Sequence, residues 1–184
     1  MPKNHYECIE DWHREFIEQQ HMFFVGTAAP EGRVNMAPKD MASLRLLGGN
    51  RIVWVNLTGA ENETGAHLAL SPRMTLMWCS FTKKPIILRV YGCATLIHRR
   101  DPSWPELMGL FEPRHGARQI IDLKVDLVLK SCGFGVPLYD FIGERDTLRR
   151  WEESKGEEGV QQHWAARNQF SIDGTPTHLL EEGK

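Results

Sequence analysis

The residues best able to do chemistry gather between Arg51 and Ser80. Thr58, Asn62 and Thr64 offer hydroxyl and amide groups in a polar, glycine-containing turn. The turn leads into a short helical pattern from about Glu61 to Leu70, stopped by Ser71-Pro72. A helix N-terminus carries unpaired N–H groups and the positive end of the helix dipole. Such a place can hold a phosphate, so the turn predicts a nucleotide-like cofactor. A phosphate dianion also calls for cations. Lys39 follows a strand and a proline, Arg73 follows the helix stop, and Arg89 sits among Ile87, Leu88, Val90 and Tyr91. Each has a plainer reading. Lys39 and Arg73 could be solvated side chains, and Arg89 an outward-facing or carboxylate-paired barrel residue. Asn62 and Thr64 could simply cap the helix, with Thr58 and Glu61 as a rival capping box.

A second unusual stretch runs from Ser131 to Tyr139, where Gly133 and Gly135 flank Phe134 at the end of a strand. Glycine there allows close backbone approach or a bulge. The stretch reads as a wall against a flat ring or as a barrel corner. Other chemistries find little support. The eight histidines form no His-Glu-x-x-His pair, and there is no Walker loop or Gly-x-Ser-x-Gly elbow. His67 reads as a surface or packing residue, no metal site is expected, and the sequence singles out no catalytic side chain. Cys8, Cys79, Cys93 and Cys132 are too far apart for a zinc knuckle, and Cys79 and Cys93 read as buried thiols.

Strand patterns must position these groups. Met22 to Ala28 and Arg33 to Ala37 flank a Pro30-Glu31-Gly32 turn and predict a hairpin. Further runs cover Ser43–Leu47, Arg51–Leu57, Met74–Phe81 and Pro85–His98. Ala117 to Lys130 alternates, with Gln119, Ile121, Leu123, Val125, Leu127 and Leu129 on one face and Arg118, Asp122, Lys124 and Asp126 on the other. An amphipathic helix is expected at about 6–20, a short one from Trp104 to Leu110, and a helical extension at about 144–170. Gly156 and Gly159 leave that extension as one helix or two. Residues 171–184 read as a mobile tail. About seven strands without regular strand–helix alternation predict a mainly β fold, an antiparallel barrel with flanking helices, in one domain spanning 1–184.

The bulk numbers agree. The chain has 184 residues, 41% apolar and 25% charged, with a net charge of −2. Nothing basic argues for nucleic acid, no run reaches the ~20 apolar residues of a membrane span, and no signal peptide is apparent. A soluble cytoplasmic protein is expected.

In order, Phe-Phe-Val-Gly-Thr-Ala, Val-Asn-Met-Ala-Pro-Lys, Trp-Val-Asn-Leu-Thr-Gly, Asn-Glu-Thr-x-x-His-Leu and Ser-Pro-Arg-Met-Thr-Leu-Met-Trp resemble the pyridoxamine 5′-phosphate oxidase-like family. Ile-Leu-Arg-Val-Tyr-Gly and Ser-Cys-Gly-Phe-Gly-Val-Pro-Leu-Tyr extend the resemblance, which spans roughly residues 6 to 175. It implies an antiparallel Greek-key split barrel of the FMN-binding type, a homodimer with cofactor sites at the interface, and a small-molecule substrate. It implies Lys39 as the phosphate lysine and places Asn62 and Thr64 in the phosphate turn. It adds Asn56 from the strand before that turn, and Ser80 where the next strand should approach the isoalloxazine or the phosphate tail. With Arg89, Gly133 and Phe134, these are the expected cofactor-binding residues. The chain departs from the family where oxidases carry serine-arginine-lysine, since it reads Glu63-Thr64-Gly65. It also lacks the C-terminal Arg-x-His motif that grips the vitamin phosphate. The expected activity is therefore hydride transfer at flavin N5 on a substrate other than the B6 vitamer. The alternatives are the deazaflavin F420, or a haem-binding or scaffold protein of the same fold.

Overall fold

The computed structural model describes residues 4–182. Eight strands form one antiparallel, curled sheet, the half-open barrel expected of a split barrel, with helices around it. The strands are β1 (His5–Tyr6), β2 (Met22–Thr27), β3 (Asn35–Asp40), β4 (Leu44–Leu46), β5 (Arg51–Leu57), β6 (Arg73–Cys79), β7 (Ile86–His98) and β8 (Ala117–Cys132). The sheet order is β3-β2-β6-β7-β8-β5-β4, with β1 on the second half of β8. Strands β6, β7 and β8 meander, and β5 lies beside β8, which makes the Greek key. The link from β5 to β6 is helix α2 (Glu63–Leu70). The polar turn therefore sits at the crossover, where the chain leaves β5 and returns three positions away, across β8 and β7.

Alternation buries one face of β2, β6 and β7. Phe23, Trp54, Leu76, Trp78, Leu88 and Ile121 fill the interior, with Phe16 and Ile17 of α1 (Asp11–Glu18) closing one side. A second cluster forms on the outer face of β5 and β8, where Val53, Val55 and Ile120 meet Leu107 and Phe111 around α3 (Trp104–Met108). Ala117–Ile121 is consequently buried on both faces.

Two interruptions of the β8 ladder decide where side chains point. Tyr91 pairs with Leu127 and Gly92 with Val125, leaving Asp126 as an extra residue. Beyond it the buried face passes to Val128, so Leu127 and Leu129 do not share the core face of Val125 as the alternation predicts. The second lies between Asn56 and Leu57, which pair with Gln119 and Ala117, so Arg118 is the extra residue. A bulge re-aims the side chain it carries.

Several local expectations shift. The N-terminal helix covers only Asp11–Glu18, because Glu10 starts it by donating its N–H to His13 Nδ1 (2.9 Å) while His5–Tyr6 pairs with β8. Lys39 lies inside β3 rather than after a strand. Ser43 belongs to a 3-10 turn capped by Asp40, ahead of β4. Cys93 is exposed on the outer face, whereas burial pushes the half-covered Cys79 thiol up. The C-terminal helix α4 (Thr147–Arg167) bends at Gly156, whose φ of 62° is left-handed. Residues 168–182 are packed rather than loose. Phe170 bridges to Pro176, Thr177 and Leu179 are buried, and the Asp173 carboxylate pairs with Arg33. Residues 183 and 184 of the expected tail lie outside the described residues.

Glu152 anchors α4 on the barrel. It is buried, and its Oε2 accepts from Arg114 Nε at 2.8 Å. Removing one partner of such a pair leaves a poorly solvated charge. Glu152→Ala should cost about 3 kcal/mol, the low end for a buried pair because Arg114 keeps some contact with water. Urea unfolding measures this directly.

Candidate functional site

Strand β3 pairs with β2 so that Lys39 lies opposite Phe23, and directly paired residues share a face. Lys39 thus points inward with Phe23, its Nζ 5.6 Å from the centre of the Trp54 ring. The same Nζ lies 3.5 Å from Asn56 Oδ1. Arg118 reaches that oxygen from the other side, Nη2 to Oδ1 at 3.5 Å. It is only 3% exposed, so the expectation of a solvent-facing Arg118 is wrong, and the bulge is the reason. Asn56 turns its NH2 away from the cations, donating to Asn62 Oδ1 (3.0 Å) and Gln119 Oε1 (3.2 Å).

Neither cation forms a salt bridge among the described residues, and the partners of both are amide oxygens. Burial, and next the nearby Arg118 charge, push the Lys39 ammonium down to about 8, with Asp40 opposing. Burial also lowers Arg118, against a weaker pull from Glu61, though a guanidinium keeps its proton inside proteins. Around Asn56, three of the buried donors without a protein partner among the described residues come together: Asn62 Nδ2, Gln119 Nε2 and Arg118 Nε. A Cβ on Gly65 would stand 2.8 Å from Asn62 Nδ2 and 2.9 Å from Gln119 Nε2. The bare backbone of α2 keeps that cradle open. Two positive charges with no carboxylate in hydrogen-bond contact among the described residues, beside three orphan donors, fit an anion.

The expected site residues fall into two groups. Lys39, Asn56 and Asn62 meet around Arg118 and Gln119. Thr64 lies beside them, its hydroxyl accepting from Asn35 Nδ2 at 3.2 Å. Asn35 also donates to Thr27 Oγ1, which contacts the buried His67. The other group lies around the β6–β7 turn. Ser80 Oγ contacts Thr82, and Arg89 donates to Ser131 on the sheet face opposite Lys39. Gly133 donates to Pro85 O, and a Cβ there would press on the Pro85–Ile86 backbone at 3.2 Å. Phe134 is 83% exposed in this single chain. Arg73 bonds Ser71 Oγ at the helix stop.

Arg118, Gln119 and Asn168 are the site residues the sequence reading misses. Asn168 follows α4, and its Oδ1 accepts from Arg118 Nη1 at 2.6 Å. Its NH2 donates to Gly59 O and Ala60 O in the polar turn. A break in the β8 pattern, where Gln119, Ile120 and Ile121 leave no wet position, was the available signal for Arg118. Asn168 gives no local signal, because its side-chain contacts span 50 to 109 residues. No cluster of three metal-ligating side chains occurs among the described residues. No helix among them is long and apolar enough to cross a membrane.

Known proteins agree with this architecture. A family model described as pyridoxamine 5′-phosphate oxidase matches residues 9–132. The chain is 36% identical over 201 residues to the pyridoxamine 5′-phosphate oxidase family protein ustO of Aspergillus flavus, covering 97% of this chain and 80% of that protein. Among solved structures, a candidate pyridoxamine 5′-phosphate oxidase from Lactobacillus delbrueckii superposes with a TM-score of 0.56 at 12% identity, over 69% of this chain and 99% of that one. Tagged HupZ of Group A Streptococcus gives 0.51 at 16% identity, over 65% and 91%. The two structures share the fold; the family model and the Aspergillus relative carry the assignment, and the chain belongs to the pyridoxamine 5′-phosphate oxidase family.

Proposed function

We propose that the chain binds flavin mononucleotide and acts as a small-molecule oxidoreductase. The observation that carries this reading is the inward-pointing Lys39 ammonium, whose one hydrogen-bonding partner among the described residues is an amide oxygen, set among orphaned donors. Lys39, Arg118, Asn62 and Gln119 would hold the phosphate, with Asn56 as the amide that orients them and Thr64 as the anchor of the turn. Bound flavin supplies hydride exchange at N5; the protein supplies position and electrostatics. The turn residues Glu63-Thr64-Gly65 add no cation, so the strands carry the charge.

The purified chain should be yellow, with absorbance near roughly 450 nm from the cofactor itself. Stripped of colour, it should take up FMN with micromolar affinity. A shorter-wavelength chromophore would instead favour F420, a Soret band haem, and no binding a scaffold role.

The second group of residues supports a homodimer. Phe134, Leu138, Tyr139, Phe141 and Ile142 lie exposed along one segment after β8, with Ile142 at 100%. Soluble monomers rarely show so continuous an apolar surface. Light scattering should give twice the 21.1 kDa of one chain, and Phe141→Ser with Ile142→Ser should shift the mass toward one chain. In the dimer, Phe134 of one copy would cover the flavin ring of the other. An unchanged flavin affinity and spectrum in Phe134→Ala would remove that role.

A further inference from the structure

We infer that the outer face of β5 carries a second ligand site, a ring-sized cavity that takes a small aromatic carboxylate. It lies across the strand from the Lys39 cluster and does not depend on the flavin reading.

The strand pleat creates the cavity. Trp54 and Asn56 face the barrel interior and the Lys39 cluster, so Val55 and Leu57 face the other way. Outside, the chain covers them thinly. The 3-10 turn Met41–Ser43 offers only the small side chains Ala42 and Ser43, and α3 is five residues long. The space left between them measures about 160 Å³, and Val55, Leu57, Met108 and Phe111 form its apolar lining. An apolar cavity of about 150 Å³ is large enough for a benzene ring. The Met108 thioether and the Phe111 ring both suit a flat aromatic guest.

Charge at the rim selects the polar end of that guest. Arg45, Arg114 and Arg149 all line the cavity. Arg45 donates to the Leu110, Ala42 and Leu44 carbonyls and has no carboxylate partner among the described residues. Its guanidinium carbon lies 4.8 Å from the centre of the Phe111 ring, so this charge sits against the apolar lining. Arg114 holds Glu152 through Nε, while its buried Nη2 has no partner among the described residues. Two acids also line the rim. Asp40 is engaged, accepting from the Ser43 N–H at 3.1 Å. Glu112 accepts from Arg149 at 2.6 Å, but its side chain is 78% exposed. So exposed an ion pair holds weakly. An incoming carboxylate would take Arg149 and return Glu112 to water, with Arg45 as a further donor; an ammonium would meet three guanidinium groups. The same pair marks the way in, because Glu112, Arg114 and Arg149 also line the neighbouring cleft beside Glu153 and Glu157.

The test observes 4-fluorobenzoate by fluorine NMR on the full-length chain, with benzoate, benzyl alcohol, benzylamine and acetate as competitors. Benzoate should bind with a Kd of about 1 mM, ordinary for so few atoms, and about fivefold or more tighter than each of the other three competitors. Ala42→Phe puts a ring into the cavity from an exposed position, so it should abolish binding while Tm stays near the parent's. Arg149→Gln should weaken benzoate by about threefold or more and leave benzyl alcohol unchanged, whereas Glu112→Gln should tighten benzoate, because the competing carboxylate is gone. Those two exposed positions give opposite signs that a loss of folding would not produce. Adding FMN should leave benzoate affinity unchanged, since the Lys39 cluster lies on the other face of β5. Absence of benzoate binding, unchanged binding in Ala42→Phe, or displacement by FMN would overturn the site. Benzyl alcohol or benzylamine matching benzoate would overturn the carboxylate assignment. The readout needs no flavin, so a chain that binds benzoate but no FMN would keep this inference and lose the flavin reading.

Discussion

Lys39→Ala should lower FMN affinity by about 10- to 150-fold and leave riboflavin affinity nearly unchanged. The loss corresponds to about 1.5–3 kcal/mol for a hydrogen bond to a charged group in a desolvated site. Apo stability should move the opposite way. With no acid to pair with, the buried ammonium is a cost to the empty protein, and Lys39→Met should raise its Tm while abolishing phosphate preference. The pH dependence follows in sign. The folded-state value, about 8, lies below the ordinary 10.5, so between those values the unfolded chain holds more protons. The penalty is therefore fully present below about pH 8, and apo stability rises with pH across that window. FMN binding should run the other way, since a dianion held by Lys39 would need its proton; the affinity should fall as pH climbs above 8. Equal loss of FMN and riboflavin in Lys39→Ala would remove Lys39 as a phosphate ligand.

Gly92→Ala should be the most damaging small change in the barrel. A Cβ at Gly92 would stand 2.0 Å from Lys124 O and 3.0 Å from Leu123 Cδ1. The oxygen belongs to the backbone of the neighbouring strand, so no rotamer change relieves the overlap. The bulge at Asp126 would have to open, and with it the register that separates the Val125 and Val128 faces. A cost of about 3–5 kcal/mol is expected, beyond the usual range for overpacking because backbone must move. In a chain of this size that is a fall in Tm of about 10 °C or more. A Tm within about 2 °C of the parent would show that the two strands can part at little cost.

What the sequence reveals about the fold is what local patterns encode. The polar turn running into Glu63–Leu70, the hairpin around Gly32 and the long β7 and β8 runs all follow from periodicity and breakers within a dozen residues. The inward aim of Lys39 is also encoded, once β3 is extended through it and paired with Phe23. Arg118 escapes because a bulge adds one residue to a strand, and the alternation beyond and before it then reads with the wrong parity. Asp126 misleads in the same way for Leu127 and Leu129. Asn168 and Asp173 escape for another reason. Their partners, Gly59 and Arg33, lie more than 100 residues away, in a stretch whose composition alone looks like a loose tail. The half of the candidate site supplied by β3, β5 and α2 is thus legible, and the half supplied by the β8 bulge and the C-terminal segment is not.

The most direct test of the phosphate pocket is a crystal structure of the chain with FMN. The phosphate oxygens should lie about 2.7–3.2 Å from Lys39 Nζ and from a nitrogen of Arg118, with Asn62 Nδ2 or Gln119 Nε2 completing the cradle. A phosphate bound instead at Arg89 on the opposite face of the sheet, with Lys39 and Arg118 still sharing Asn56 Oδ1, would contradict the account.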